Sequence, residues 1–130
     1  MSEAALFVYG TLRAGFDSSM ARRLRAEARL IGPARAQGLL YRITHYPGFV
    51  PGGDAWVMGD LFALADAATT LAWLDEYEEC APHFPPPHEY RRVRTSVAGP
   101  HGPVLAWTYA YARAVDGLAR IDGGDFLSGG

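Results

Sequence analysis

The chain has 130 residues, a formal net charge of −2, 49% hydrophobic and 20% charged residues. This length and composition fit one ordinary globular domain spanning residues 1–130. With no dense Lys/Arg block and no apolar run near the ~20 residues needed to cross a bilayer, nucleic-acid and membrane partners are not expected. A lone cysteine, Cys80, cannot form an internal disulfide, and Met1-Ser2-Glu3-Ala4 has no basic or long apolar leader. The expectation is a soluble cytoplasmic protein, either monomer or homodimer.

Leu6-Phe7-Val8-Tyr9 is a short apolar run ended by Gly10, as in a buried strand. The Tyr9-Gly10-Thr11-Leu12-Arg13 segment then turns the backbone tightly, and such a turn can point successive N–H groups at one anion or carbonyl oxygen. Its glycine spacing matches neither a Walker A loop nor a dinucleotide fingerprint. Ser18 or Ser19 caps a helix that is expected to reach Leu30, with Met20, Leu24 and Ala28 on one face, arginines on the other, and Gly32-Pro33 as its stop. A strand is predicted from Gln37 to Ile43. Turn signals follow at Tyr46-Pro47-Gly48 and Pro51-Gly52-Gly53-Asp54, before a strand from Ala55 to Leu64.

Leu64 to Glu79 patterns as an amphipathic helix with Leu64, Ala67, Ala68, Leu71 and Leu74 along one stripe. The next position on that stripe is Glu78. An unpaired carboxylate on a core-facing stripe costs several kcal/mol or is forced to a higher pKa, which makes Glu78 a candidate general acid or base. The plainer readings are a carboxylate swung into solvent by a frayed end, or one paired with Arg91 or Arg92.

Ala81 to His88 is a stiff Pro-rich loop. Strands are predicted at Tyr90–Val97 and Val104–Ala112, joined through Gly99-Pro100-His101-Gly102-Pro103, and the Gly-rich end is expected to be loose. Five strands and two helices give an α+β fold, a small curled sheet or barrel with helices outside. Cys80, His83 and His88 match no standard zinc spacing, and Gly123-Gly124-Asp125-Phe126 shares only letters with a signalling-cyclase motif.

Seven pieces in order resemble the gamma-glutamylcyclotransferase-like family. They are Phe7-Val8-Tyr9-Gly10-Thr11-Leu12-Arg13, Gly38-Leu39-Leu40-Tyr41, Tyr46-Pro47-Gly48, Gly59 to Leu64, Leu74-Asp75-Glu76-Tyr77-Glu78, Tyr90-Arg91-Arg92 and Trp107-Thr108-Tyr109. The resemblance implies a small mixed/antiparallel β-barrel with flanking helices. It also implies that Glu78 is the catalytic acid/base and that Tyr9, Gly10, Thr11 and Leu12 form the substrate-binding loop. Tyr46, Tyr90 and Tyr109, on the other matching pieces, are further substrate-binding candidates. Where the family often has Gly after the catalytic Glu, this chain has Glu79.

The implied reaction closes a γ-glutamyl amide to 5-oxoproline and expels an amine or amino acid. Its nucleophile is the substrate's own α-amino group, so no Ser or Cys, metal or cofactor is required, whereas a base is. A non-catalytic small-molecule binding module on the same fold is the alternative.

Overall fold

A computed structural model describes residues 4–10, 12–13 and 18–126. Its elements in chain order are β1 (Ala4–Val8), α1 (Ser19–Glu27), β2 (Ala28–Arg42), β3 (Pro47–Leu64), α2 (Ala67–Tyr77), β4 (Tyr90–Gly99), β5 (Gly102–Tyr111) and β6 (Ala119–Arg120).

The first five strands close into a ring. β1 pairs antiparallel with β3, β3 with β2, β2 with β4 and β4 with β5, and β5 returns to β1 in parallel through Leu6 and Trp107. β3 also meets β5 in parallel at Phe49 and Ala110, so the sheet is mixed. β6 lies on the edge of β2 at Tyr41 and Arg42.

Because side chains alternate across a strand, each strand of the ring serves two cores. Phe7, Ala36, Phe49, Val57, Leu61, Val97 and Ala106, drawn from all five strands, fill the interior. Leu6, Val8, Phe62 and Leu64 point outward and are covered by Leu24 of α1 and by Leu71 and Leu74 of α2. Burial on both faces is why β1 reads as a continuous apolar run.

Three expectations are corrected. α1 ends at Glu27 rather than Leu30: Ala28 is already extended (φ −136, ψ 154), and pairing with Leu64 begins there. β2 then runs straight through Gly32-Pro33, with Gly32, Ala34, Ala36, Gly38 and Leu40 inward and Pro33, Arg35 and Gln37 outward. The Pro51–Asp54 turn signal does not end a strand. Gln37 pairs with Trp56 and Gly38 with Pro51, so the intervening residues bulge out of a single long β3, with Gly52 and Gly53 at positive φ.

The chain end is held rather than loose as far as residue 126. The Ile121 N–H donates to the Leu40 carbonyl, and the Met58 N–H donates to the Gly124 carbonyl (2.6 Å). Gly124 has φ +67, and a Cβ there would fall 2.0 Å from the Trp56 carbonyl oxygen. The Gly123-Gly124-Asp125 segment is thus a docking strap. It also delivers the Asp125 carboxylate to Arg13 (2.6 Å). Among the described residues, no helix is long and apolar enough to cross a membrane.

Candidate active site

A cavity of about 590 Å³ opens where β1 ends, β3 begins, α2 terminates and β4 begins. Of the residues singled out in the sequence, Tyr9, Gly10, Leu12, Tyr46, Glu78, Tyr90 and Tyr109 all line it. Thr11 lies outside the described residues.

Glu78 is the C-cap of α2, and its N–H closes the last turn on the Leu74 carbonyl (2.8 Å). Leu71 and Leu74 are buried against the ring, which sets the helix's rotation and turns Glu78 toward the cavity. The stripe is narrower than the sequence suggests. Asp66 caps the helix, Leu64 belongs to β3, and Ala68 is exposed.

Among the described residues the Glu78 carboxylate has no hydrogen-bond partner. Burial pushes its pKa up to about 7, and the nearby Glu89 carboxylate acts in the same direction. Arg92 does not neutralise Glu78. Its Nε and Nη2 donate instead to the two oxygens of Asp75, at 2.9 and 3.3 Å.

Asp75 braces the site. Besides Arg92, it accepts a hydrogen bond from the Tyr109 hydroxyl (2.6 Å), and the Arg92 guanidinium stacks 4.5 Å over Trp107. The last turn of α2, which ends in Glu78, is thereby fixed to strands β4 and β5. Burial and the Asp75 carboxylate hold the Tyr109 hydroxyl well above its usual pKa.

The chain leaves α2 through a Schellman turn, in which the Cys80 N–H donates to the Asp75 carbonyl and the Glu79 N–H to that of Glu76. Glu79 accordingly sits at φ +56, the only non-glycine residue at positive φ among the described residues. This is a physical reason for the glycine that the family resemblance leads one to expect here. A non-glycine residue in that conformation costs ~1–2 kcal/mol, offset by the ~0.4–1 kcal/mol that a side chain's restriction of the unfolded chain is worth. Glu79→Gly is therefore expected to stabilise the protein by ~0.5–1 kcal/mol, read as a rise in Tm of a few degrees.

On the opposite wall, Tyr9 is buried, and its hydroxyl donates to the Tyr109 carbonyl while accepting from the Phe49 N–H (3.3 Å). Burial, then the Glu78 charge, raises the Tyr9 pKa far above the ordinary phenol value. The Tyr90 hydroxyl donates to the Pro47 carbonyl (2.6 Å), and the Tyr46 hydroxyl to Glu89 (2.8 Å).

The turn after β1 is closed by the Arg13 N–H on the Gly10 carbonyl (3.1 Å). The Arg13 side chain is directed to Asp60 and Asp125. A Cβ on Gly10 would lie 2.9 and 3.0 Å from two carbons of the Pro47 ring, so glycine here lets the loop seat against β3. Gly10→Val is expected to push the loop off Pro47, lower stability by ~1–3 kcal/mol and raise KM for any ligand held by the turn, as denaturation and steady-state kinetics would show.

Sequence reasoning missed Asp75, Glu89 and Pro47. Glu89 follows a Pro-rich loop with no periodicity to set its direction, and Asp75 looks like any acid on a helix. Cys80, His83 and His88 go separate ways, to Asp75, Glu76 and the Phe84 carbonyl respectively. Among the described residues, no three His, Cys, Asp or Glu side chains converge as a metal site requires.

The comparisons with known proteins agree with this architecture. A family model described as gamma-glutamyl cyclotransferase, AIG2-like, matches residues 6–128. The gamma-glutamylcyclotransferase family protein YtfP of Escherichia coli K12 is 35% identical over 123 residues, 94% of this chain and 95% of that protein. The solution NMR structure of E. coli ytfP superposes with a TM-score of 0.68 at 36% identity, covering 95% of this chain and 96% of that one. The mouse AIG2-like protein has the same fold at 23% identity (TM-score 0.66, 89% of this chain and 82% of that one). So does Bacillus subtilis YkqA at 22% identity (TM-score 0.71), where 97% of this chain spans 40% of that protein. With a ring of strands, two helices on its outer face and a family match over nearly its whole length, the chain belongs to the gamma-glutamyl cyclotransferase, AIG2-like family.

Proposed function

We propose that this protein is a cofactor-free gamma-glutamylcyclotransferase-type enzyme that cyclises a γ-glutamyl amide to 5-oxoproline and releases an amine, with Glu78 as general base and acid. The observation that carries this reading is the Glu78 carboxylate itself: without a hydrogen-bond partner among the described residues, turned into a cavity, with a pKa of about 7. A group that titrates near the working pH can both take and return a proton.

In the proposed reaction, Glu78 removes a proton from the substrate's α-ammonium, and the freed amine attacks the γ-glutamyl carbonyl carbon. The amide C–N bond breaks as the ring closes. Of the ammonium's three protons, one stays on the lactam nitrogen. The other two pass by way of Glu78 to the leaving nitrogen, which departs as an ammonium, so no net proton is consumed. Attack is intramolecular, so the protein's main task is to fold the substrate and hold charge. Main-chain N–H groups at Gly10 and Leu12, which line the cavity, would cradle the α-carboxylate or the developing oxyanion. Burial raises the pKa values of the pocket tyrosines Tyr9 and Tyr90, so these phenols keep their own protons and Glu78 is left as the group that exchanges one.

The test is 5-oxoproline release from a panel of γ-glutamyl amides. Release from at least one, lost in Glu78→Gln, supports the reading. Binding of such amides without turnover would make the protein a binding module instead.

A further inference from the structure

The turn after β1 is tied to the far end of the chain. Arg13 closes that turn through its N–H on the Gly10 carbonyl, and its side chain then runs to two carboxylates. Nη1 donates to Asp125 at 2.6 Å, and Nε donates to Asp60 at 3.5 Å. Only 12% of the Arg13 side chain is exposed, so the short contact to Asp125 is weakly screened by solvent.

The two carboxylates connect Arg13 to different parts of the fold. Asp60 lies on β3 opposite Val8, the last residue of β1, and so ties Arg13 to the strand pair that the turn leaves. Asp125 belongs to the strap of residues 121–126, which is docked by other means. Ile121 is buried in the ring's interior, its N–H donates to the Leu40 carbonyl, and the Gly124 carbonyl accepts from the Met58 N–H. Phe126 packs against the same core, with the Arg42 guanidinium over its ring. The strap therefore stays in place without the ion pair.

The turn is held differently. Gly10 sits against the Pro47 ring, and Leu12 is buried in the outer core. These apolar contacts fix position, but they are non-directional and do not aim a peptide N–H. The charge-assisted bond from Arg13 to Asp125 is directional and comes from outside the turn. A main-chain cradle works only when its donors are aimed before the ligand arrives.

Resting on the cyclotransferase reading, we propose that the C-terminal strap is part of the active site, with Asp125 as a positioning residue that acts through Arg13 to keep the Gly10 and Leu12 N–H groups aimed into the cavity. Neither Asp125 nor Arg13 is among the described residues that line the cavity, so the effect reaches the substrate through the turn.

The test compares four variants in the full chain. Asp125→Ala removes the contact, and Asp125→Glu keeps the charge. Gly124→Ala dislodges the strap, because a Cβ there meets the Trp56 carbonyl oxygen. Asp122→Ala removes an equal charge from the same strap at a side chain that is 94% exposed. For the γ-glutamyl amide turned over fastest by the wild type, Asp125→Ala should raise KM on the order of tenfold, with kcat changed by less than about twofold. In the free protein, amide hydrogen exchange at Leu12 and Arg13 should speed up about tenfold. Gly124→Ala should do the same, Asp125→Glu should restore most of both readouts, and Asp122→Ala should change neither. Unchanged exchange in Asp125→Ala would overturn the proposal. Faster exchange with an unchanged KM would also overturn it, leaving the ion pair a structural contact and the cyclotransferase reading standing. If no amide is turned over, the cyclotransferase reading fails, and NMR titration with L-glutamine, the simplest γ-glutamyl amide, decides. Weaker glutamine binding by Asp125→Ala, recovered in Asp125→Glu, upholds the positioning role; equal binding, or none by the wild type, overturns it.

Discussion

Glu78→Gln is expected to leave the fold intact and to lower kcat by at least ~10²–10⁴-fold, the usual worth of general acid–base catalysis. Gln has the same length and volume but cannot hold a proton in transit. The Glu78 carboxylate makes no hydrogen bond among the described residues, so the substitution breaks no contact. The variant should also be more stable at pH 8.

The sign follows from the raised pKa. In the unfolded chain this carboxyl titrates near its ordinary value of 4.5, and in the folded protein near 7. The folded state therefore binds the extra proton, and its relative stability falls as pH rises from about 4.5 through about 7. At about 1.4 kcal/mol per pKa unit, discounted for water entering an open cavity, the loss is on the order of 2 kcal/mol. Denaturation midpoints of wild type and Glu78→Gln at pH 5 and pH 8 measure it: the wild type should lose ground that the variant keeps. Equal pH dependence in the two proteins would mean that Glu78 is solvated, and near wild-type turnover by the variant would remove it from the mechanism.

The same pKa sets the shape of the rate profile. A base must be ionised, so kcat/KM should rise with pH through about 7 on its acid limb. The Glu89 charge contributes to that value, and in Glu89→Gln the limb should move to lower pH. It should not return to 4.5, because burial is the larger cause and remains.

The parts of this architecture that were legible in the sequence have a strong period. Leu71 and Leu74 fix the buried face of α2, and one more turn brings Glu78 to the cavity wall, so the candidate base could be picked out from spacing alone. β1 and the β4–β5 hairpin were equally plain. The first half of β2 was hidden because its inward positions are Gly32, Ala34 and Ala36, too small to mark a face, and because Ala26-Glu27-Ala28 are good helix formers. Pairing with β3 overrides that local preference from Ala28 onward. β3 was cut short by a turn signal that is a bulge. β6 is only two residues long and borrows its order from β2. Glu89 has no periodic neighbours, and its direction is set by Tyr46, 43 positions away in the sequence. Position along a helix can reveal a carboxylate out of place, but a side chain oriented by a distant partner leaves no such trace.

The second large effect is expected at Asp75, whose carboxylate touches no cavity wall yet holds three parts of the site together. It receives Arg92 through two hydrogen bonds and Tyr109 through one, while its carbonyl accepts the N–H that closes the turn after Glu78. Asp75→Ala leaves a partly buried guanidinium without its carboxylate and a buried phenol without its acceptor. Unsatisfied buried donors of this kind cost ~1–3 kcal/mol each, so a loss of ~2–4 kcal/mol overall is expected after relaxation and water entry. Tyr109→Phe removes only the donor and should cost ~1 kcal/mol. Asp75→Asn, which keeps the shape and one oxygen, should fall between them. A positioning role predicts more than lost stability. At a temperature where each variant is still folded, kcat should fall for Asp75→Ala with KM changing less, because the end of α2 no longer holds Glu78 against the bound substrate. Denaturation curves and steady-state kinetics on the three variants separate the outcomes. A stability change under ~0.5 kcal/mol for Asp75→Ala would mean that the Arg92 and Tyr109 contacts are solvent-screened and hold nothing. A stability loss with wild-type kcat in the folded fraction would make Asp75 a structural residue with no part in aiming the base.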